Sequence, residues 1–234
     1  MGKENYIMIG ILCAMEVEMG ILRDSIQNYE ESKIQGIKFY QGQIESNQVV
    51  ICIAGIGKVH AAMATSILIE FFECSLIINT GIAGGITGVE SKDIILASEL
   101  KYSDVDVTPF GYAYGQIPAM PPSFVPSMMY RIQTKRILNS LDLKYKEATI
   151  YTGDFFVRKL SQLKHVNTAI PCVAEMEGAA VAQVCTKAGI DYIVLRYVSD
   201  IIGKPNQIKD YQEFEADMAK RSSYICLEIL RNLE

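Results

Sequence analysis

Along this chain, apolar residues come in short unbroken runs that close on glycine or a polar residue, and stretches with helical spacing follow them. "YIMIGILCAM" (6–15) reads as a buried strand. In "VEMGILRDSI" (17–26), Val17, Ile21, Leu22 and Ile26 share one helical face. "QVVICIAGIGK" reads as a strand and a glycine turn, leading into a helix over "VHAAMATSILIEFF". "SLIINTGIAGG" repeats the strand and glycine turn, "DIILASEL" is a further strand, and "DYIVLRYVSD" (191–200) is a late one. From Asp210, a D-x-x-E pattern with Glu213 predicts a capped helix running to near Leu233.

Unbroken apolar strands alternating with helices predict a sheet covered on both faces, an α/β architecture in one domain spanning 1–234. Ligands of such folds sit beyond the carboxyl ends of the strands. That edge collects Glu18, Gly55 to Lys58, Asn79 to Gly85, Glu175 with Glu177, and Ser199 with Asp200. The segment 102–126 stands apart. It is aromatic, proline-rich and without helical period, as expected of a functional or interface loop.

Composition narrows the chemistry. A net charge of −5 without a basic stripe argues against nucleic acid, and Arg131/Lys135/Arg136 and Arg158/Lys159 read as solvated helix faces. Six scattered cysteines with no C-x-x-C read as buried free thiols of a reducing compartment. Two distant histidines, His60 and His165, argue against a metal site. "MGKENYIMIG" does not fit a signal peptide, and no apolar run suffices for a membrane span, so a cytoplasmic location is expected.

The glycine turns do not complete a nucleotide motif. "AGIGKVH" has Val59 where a P-loop needs a hydroxyl, and "TGIAGGI" is not G-x-G-x-x-G. The acids remain. Singly, Glu16, Glu18, Glu175 and Glu177 read as partners of helix N-termini, and Asp200 as a cap or turn residue. Together, several carboxylates without a metal cluster fit acid/base work on a neutral or weakly basic substrate, such as cleavage of a glycosidic bond.

The ordered series "IGILCAMEVEMGILRD", "AGIGKVHAA", "INTGIAGG", "DVDVTPFGYAYGQIP", "TGDFF", "AEMEGAA" and "VSD" resembles the 5′-methylthioadenosine/S-adenosylhomocysteine nucleosidases, nearly end to end. The resemblance implies a nucleoside phosphorylase-like three-layer αβα fold with a central twisted, mostly parallel or mixed sheet. It implies a hydrolase that needs no cofactor and works as a homodimer. Glu18 would activate water, a carboxylate kept ionised by its helix N-terminus, and Asp200 would protonate the adenine at N7. Glu177 would bind the ribose hydroxyls, with Met176 beneath the sugar. Phe156 would stack on the base, whose edge the Val157 backbone would bond. Met15, Ile56 and Phe214 would be apolar walls, with Ile82, Ala83, Gly84 and Ser199 completing the pocket. Glu175 and Arg196 would support it from behind. Val107, Phe110, Tyr112 and Pro118 would reach the partner subunit's 5′-alkylthio pocket.

Two positions depart from that pattern. Ile82 stands where a small hydroxyl residue is common, and Val17 replaces an acid at a position expected off the catalytic face. The alternatives are a phosphate-dependent nucleoside phosphorylase, a nucleosidase for another 5′-modified adenosine such as aminodeoxyfutalosine, and a non-catalytic nucleoside sensor.

Overall fold

A computed structural model describes residues 7–233. Tyr6, the segment before it, and the side chain of Phe214 lie outside the described residues. The strands are β1 (Met8–Cys13), β2 (Gln27–Ile34), β3 (Ile37–Ile44), β4 (Asn47–Ile53), β5 (Leu76–Asn79), β6 (Ile82–Thr87), β7 (Ile94–Tyr102), β8 (Tyr145–Thr152), β9 (Cys172–Glu175) and β10 (Asp191–Ile201). The helices are α1 (Glu16–Ser25), α2 (Lys58–Glu70), α3 (Met128–Ser140), α4 (Gly178–Ala188) and α5 (Gln207–Asn232).

The strands form one mixed sheet in the order β2-β3-β4-β1-β5-β10-β6-β9-β8-β7. β10 also pairs antiparallel with β7, so the strands from β10 to β7 close into a ring. β1, β4, β5 and β10 run parallel at the centre. Their continuous apolar runs follow from burial on both faces. Ile9, Ile11 and Cys13 of β1 point to one side, among residues of α1, α3 and α5. Leu12 points to the other, among alanines of α2 and α4. That alternation makes the three layers.

Two of the predicted elements differ. The run 82–87, expected to be a glycine turn, is strand β6. Its glycines serve close approach instead: a Cβ on Gly85 would lie 2.7 Å from Ile201 Cδ1 and 2.8 Å from Val89 Cγ2. Helix α5 begins at Gln207 after Asn206, so Asp210 sits in its first turn rather than capping it. An acid in the first turn satisfies the same dipole preference as one placed before the helix, so Asp210 does not by itself fix where the helix starts.

Arg131 and Lys135 do lie on a helix, α3, where both pair with Glu147. Arg158 and Lys159 do not. They precede a short 3₁₀ turn, where their amides donate to Gln162 Oε1. Residues 103–126 are irregular apart from a 3₁₀ turn at Thr108–Phe110 and a bridge from Phe124 to Leu100. All six cysteines are buried and free, and no helix among the described residues is long and apolar enough to cross a membrane.

Candidate active site

A cleft of about 100 Å³ lies where β1, β9 and β10 end and β6 begins. Met15, Glu18, Ile56, Ile82, Ala83, Gly84, Phe156, Val157, Glu175, Met176, Glu177, Ser199 and Asp200 all line it. These residues come from segments scattered between 15 and 200, and the sheet brings them to one edge.

Glu18 enters from the first turn of α1. As the third helical residue it reaches back over its own N-terminus, and Oε2 accepts hydrogen bonds from the amides of Ala14 (2.8 Å) and Met15 (3.0 Å). Its other oxygen rests against Gly81, where a Cβ would come within 2.8 Å of Oε1. Ser223 of α5 donates to the Glu18 carbonyl and ties the two helices together. The expectation that the helix end keeps this carboxylate readily ionised needs correction. Burial pushes its pKa up, and the Met15 and Ala14 amides and Arg196 only partly offset that. Val17, beside it, is exposed and off the cleft.

Asp200 stands one residue before the end of β10. The register of β10 against β6 shifts between Val198 and Asp200. Such a bulge re-aims side chains, and here Ser199 and Asp200 both reach the cleft. Ser199 Oγ donates to Asp200 Oδ1 at 2.6 Å, and Gln207 Nε2 donates to Oδ2 at 2.8 Å. Gly84, opposite Asp200 in β6, leaves room: a Cβ there would stand 3.2 Å from Ile202 and 3.4 Å from Asp200 Oδ2. Burial raises the Asp200 carboxyl above the ordinary range, against the two donors.

Glu177 is the N-cap residue of α4, and its Oε1 accepts from the Gly57 amide at 2.8 Å. Burial first, then the Glu175 charge, push its pKa from 4.5 to about 7. Glu175 points the other way. Its Oε2 accepts from the amides of Glu177 (3.0 Å) and Gly178 (2.7 Å), and it is ion-paired with Arg196 and bonded by Thr152. Arg196 is buried behind the cleft rather than in its lining. Its Nη2 also donates to Asn79 Oδ1 at 2.6 Å, and Asn79 in turn donates to the Leu12 carbonyl at 3.1 Å. One buried cation thus serves a cluster of three carboxyls, Glu18, Glu175 and Glu177.

Phe156 is exposed at the cleft mouth, its ring 5.3 Å from that of Tyr211, while Val157 is buried. Sequence reasoning missed Ala14, Phe155, Ala174, Ile202, Gln207 and Tyr211 in the lining. Gln207 and Tyr211 are four apart on one face of α5, a signal hidden by placing that helix start at Asp210. Val107, Phe110, Tyr112 and Pro118 do not line this cleft, and Phe110 is 81% exposed. Among the described residues no group of three His, Cys, Asp or Glu side chains could hold a metal ion.

The fold and its carboxylate-rich cleft, with no Lys, Arg or His among the described lining residues, belong to an enzyme of the phosphorylase superfamily, whose profile matches residues 8–231. A 5′-methylthioadenosine/S-adenosylhomocysteine nucleosidase of a Geobacillus strain is 38% identical over 230 residues, covering 97% of this chain and 99% of the relative. The solved S-adenosylhomocysteine nucleosidase of Streptococcus pyogenes, in complex with 5-methylthiotubericidin, superposes with a TM-score of 0.93. It is 32% identical and both chains are fully covered. The futalosine hydrolase of Helicobacter pylori superposes with a TM-score of 0.88 at 28% identity, over 97% of this chain and 98% of its own. The chain belongs to the 5′-methylthioadenosine/S-adenosylhomocysteine nucleosidase family of that superfamily.

Proposed function

We propose that this chain hydrolyses the N-glycosidic bond of 5′-methylthioadenosine and S-adenosylhomocysteine, releasing adenine and the corresponding 5-thioribose. The observation that carries the reading is the convergence of Glu18, Glu177 and Asp200 on one cleft. Glu18 takes a proton from the attacking water as its oxygen bonds to C1′. The C1′–N9 bond breaks, and its electron pair passes into the purine, which Asp200 protonates at N7. A carboxyl raised by burial suits both roles, being a stronger base when ionised and an available acid when protonated. Glu177 accepts the ribose hydroxyls and opposes the positive charge growing on the sugar, above Met176. Phe156 stacks on the base and the Val157 backbone bonds its edge.

Among the described residues, no lining residue is Lys, Arg or His, which favours water over phosphate as nucleophile, because phosphate binding calls for cationic donors. Ile82, in place of a hydroxyl residue, contributes an apolar wall. The exposed Phe110, Val125, Met128 and Met129 support a homodimer in which residues 107–118 complete the partner's 5′-alkylthio pocket. The cytoplasm is the compartment that fits six free thiols.

Adenine release tests the reading, assayed with methylthioadenosine, S-adenosylhomocysteine, adenosine, inosine and aminodeoxyfutalosine, with and without phosphate. Phosphate-independent release from the two thioadenosines is expected. Strict phosphate dependence, or binding without turnover, would overturn it.

A further inference from the structure

The reading above places the Val157 backbone at the edge of the purine and Asp200 at its N7, and in this structure one side chain bonds both, at Val157 O and Asp200 Oδ2. Gln207, the first residue of α5 and 4% exposed, lines the cleft. Its Nε2 donates to Val157 O at 2.8 Å and to Asp200 Oδ2 at 2.8 Å, so both amide hydrogens are used. Its Oε1 accepts from the Gly203 amide at 3.1 Å. A carboxamide NH₂ and the 6-amino group of adenine are the same kind of donor: a planar nitrogen carrying two divergent hydrogens. A base that reaches these acceptors therefore meets the Gln207 amide in its place.

We propose that Gln207 is a positioning residue that stands in for the amino edge of the purine, holding Val157 O and Asp200 in the free site and yielding both when the base enters. The inference rests on the base pocket read above. The local geometry provides a route for the exchange. Gly203, in the left-handed region at φ 81°, precedes the first turn of α5, and the helix N-cap Asn206 makes no side-chain capping bond. Gln207 thus ties that turn to the cleft. One turn on, Tyr211 touches the Phe156 ring, so movement of that turn reaches the wall on which the base stacks. Displacement also strips Asp200 of one of its two side-chain donors while Ser199 remains. Both donors favour the ionised carboxylate, so losing one favours the proton-bearing form as the base arrives.

The sign of the effect separates this role from a structural one. A glutamine that merely braces the pocket weakens ligand binding when removed. A stand-in competes with the ligand, and its removal tightens binding. Calorimetric titration with adenine is expected to give a Kd about three- to tenfold lower for Gln207→Ala than for the wild type, the scale of one or two net hydrogen bonds no longer exchanged. Asp200→Asn is expected to bind more weakly than the wild type. A measurement on the unaltered protein needs no variant to fold: the Gln207 side-chain amide signals, assigned through bonds in ¹⁵N spectra, should be protected from solvent exchange when free and should shift and lose protection at adenine saturation. Unchanged or weaker binding by Gln207→Ala, with Asp200→Asn weakened, overturns the stand-in and leaves the base pocket intact. An amide pair unmoved at saturation does the same. No adenine binding by the wild type, or wild-type binding by Asp200→Asn, overturns the pocket reading and this proposal with it.

Discussion

Glu177→Gln should make the protein more stable and less active at the same time. The carboxyl is 7% exposed and shares one buried cation, Arg196, with Glu175 and Glu18. Its pKa is about 7 in the folded chain against an ordinary 4.5. Below pH 4.5 the group is protonated in both the folded and the unfolded chain, and its full contribution to stability is present. That contribution falls as pH rises and is lost once pH passes about 7, because the folded protein must then hold the charge against burial and Glu175. A difference of about 2.5 at 1.36 kcal/mol per pH unit bounds the cost at about 3 kcal/mol at pH 8. Glutamine removes that cost and keeps the bond its oxygen accepts from Gly57. Thermal unfolding at one protein concentration should show Glu177→Gln melting above the wild type by up to roughly 6–12 °C at pH 8, since about 1 kcal/mol moves Tm by about 2–4 °C in a chain of this size. At pH 5 the gap should shrink to about a quarter. Adenine release by the variant should fall at least tenfold, because the amide cannot oppose charge on the sugar. A variant that melts at or below the wild type at pH 8, or a gap independent of pH, would refute the burial argument.

Other expectations follow from the same geometry. Glu18→Gln and Asp200→Asn should each lose about 10²–10⁴-fold in kcat with circular dichroism unchanged, and near-normal adenine release from both would remove the acid/base assignment. Gly81→Ala places a methyl group 2.8 Å from Glu18 Oε1, an oxygen held by a side chain that the Ala14 and Met15 amides also fix. kcat should drop about tenfold or more with Tm little changed; turnover like the wild type's would show that the carboxylate has room. Arg196→Met leaves Glu175 charged and buried without its partner, which should cost about 3–5 kcal/mol in urea unfolding at pH 7, and a loss under 1 kcal/mol would show the pair is not essential to the fold. Both limbs of the pH profile of kcat/KM should lie above ordinary carboxyl values, since burial raises Glu18, needed ionised, and Asp200, needed protonated. A plateau starting below pH 4.5 and falling from there would contradict those roles.

Much of this protein was legible in one dimension because the physics involved is local. The parallel centre of the sheet buries both faces, so β1, β4, β5 and β10 carry apolar runs legible in the sequence. Helix-first carboxylates mark their own positions, and Glu18, Glu175 and Glu177 stood out for that reason. The β2–β3 hairpin left no such mark, because nearly every β2 residue faces solvent and carries no apolar stripe. β6 was misread because glycines look alike whether they turn the chain or admit a neighbour, and only the positions of Ile201 and Val89 tell the two apart.

The site divides in the same way. The residue types of Glu18, Glu177 and Asp200, and the strand ends that carry them, were set by the amino-acid sequence alone. Tertiary structure decided what those acids are. It turned Ser199 and Asp200 together through a bulge, put Glu175 rather than Glu177 against Arg196, and raised all three site carboxyls by burial. It also delivered Gln207 to Asp200 from a helix end whose start the pattern misplaced. Periodicity reports which face of an element is buried. Desolvation and hydrogen-bond partners depend on groups far apart in the chain, and those meet only in the folded protein.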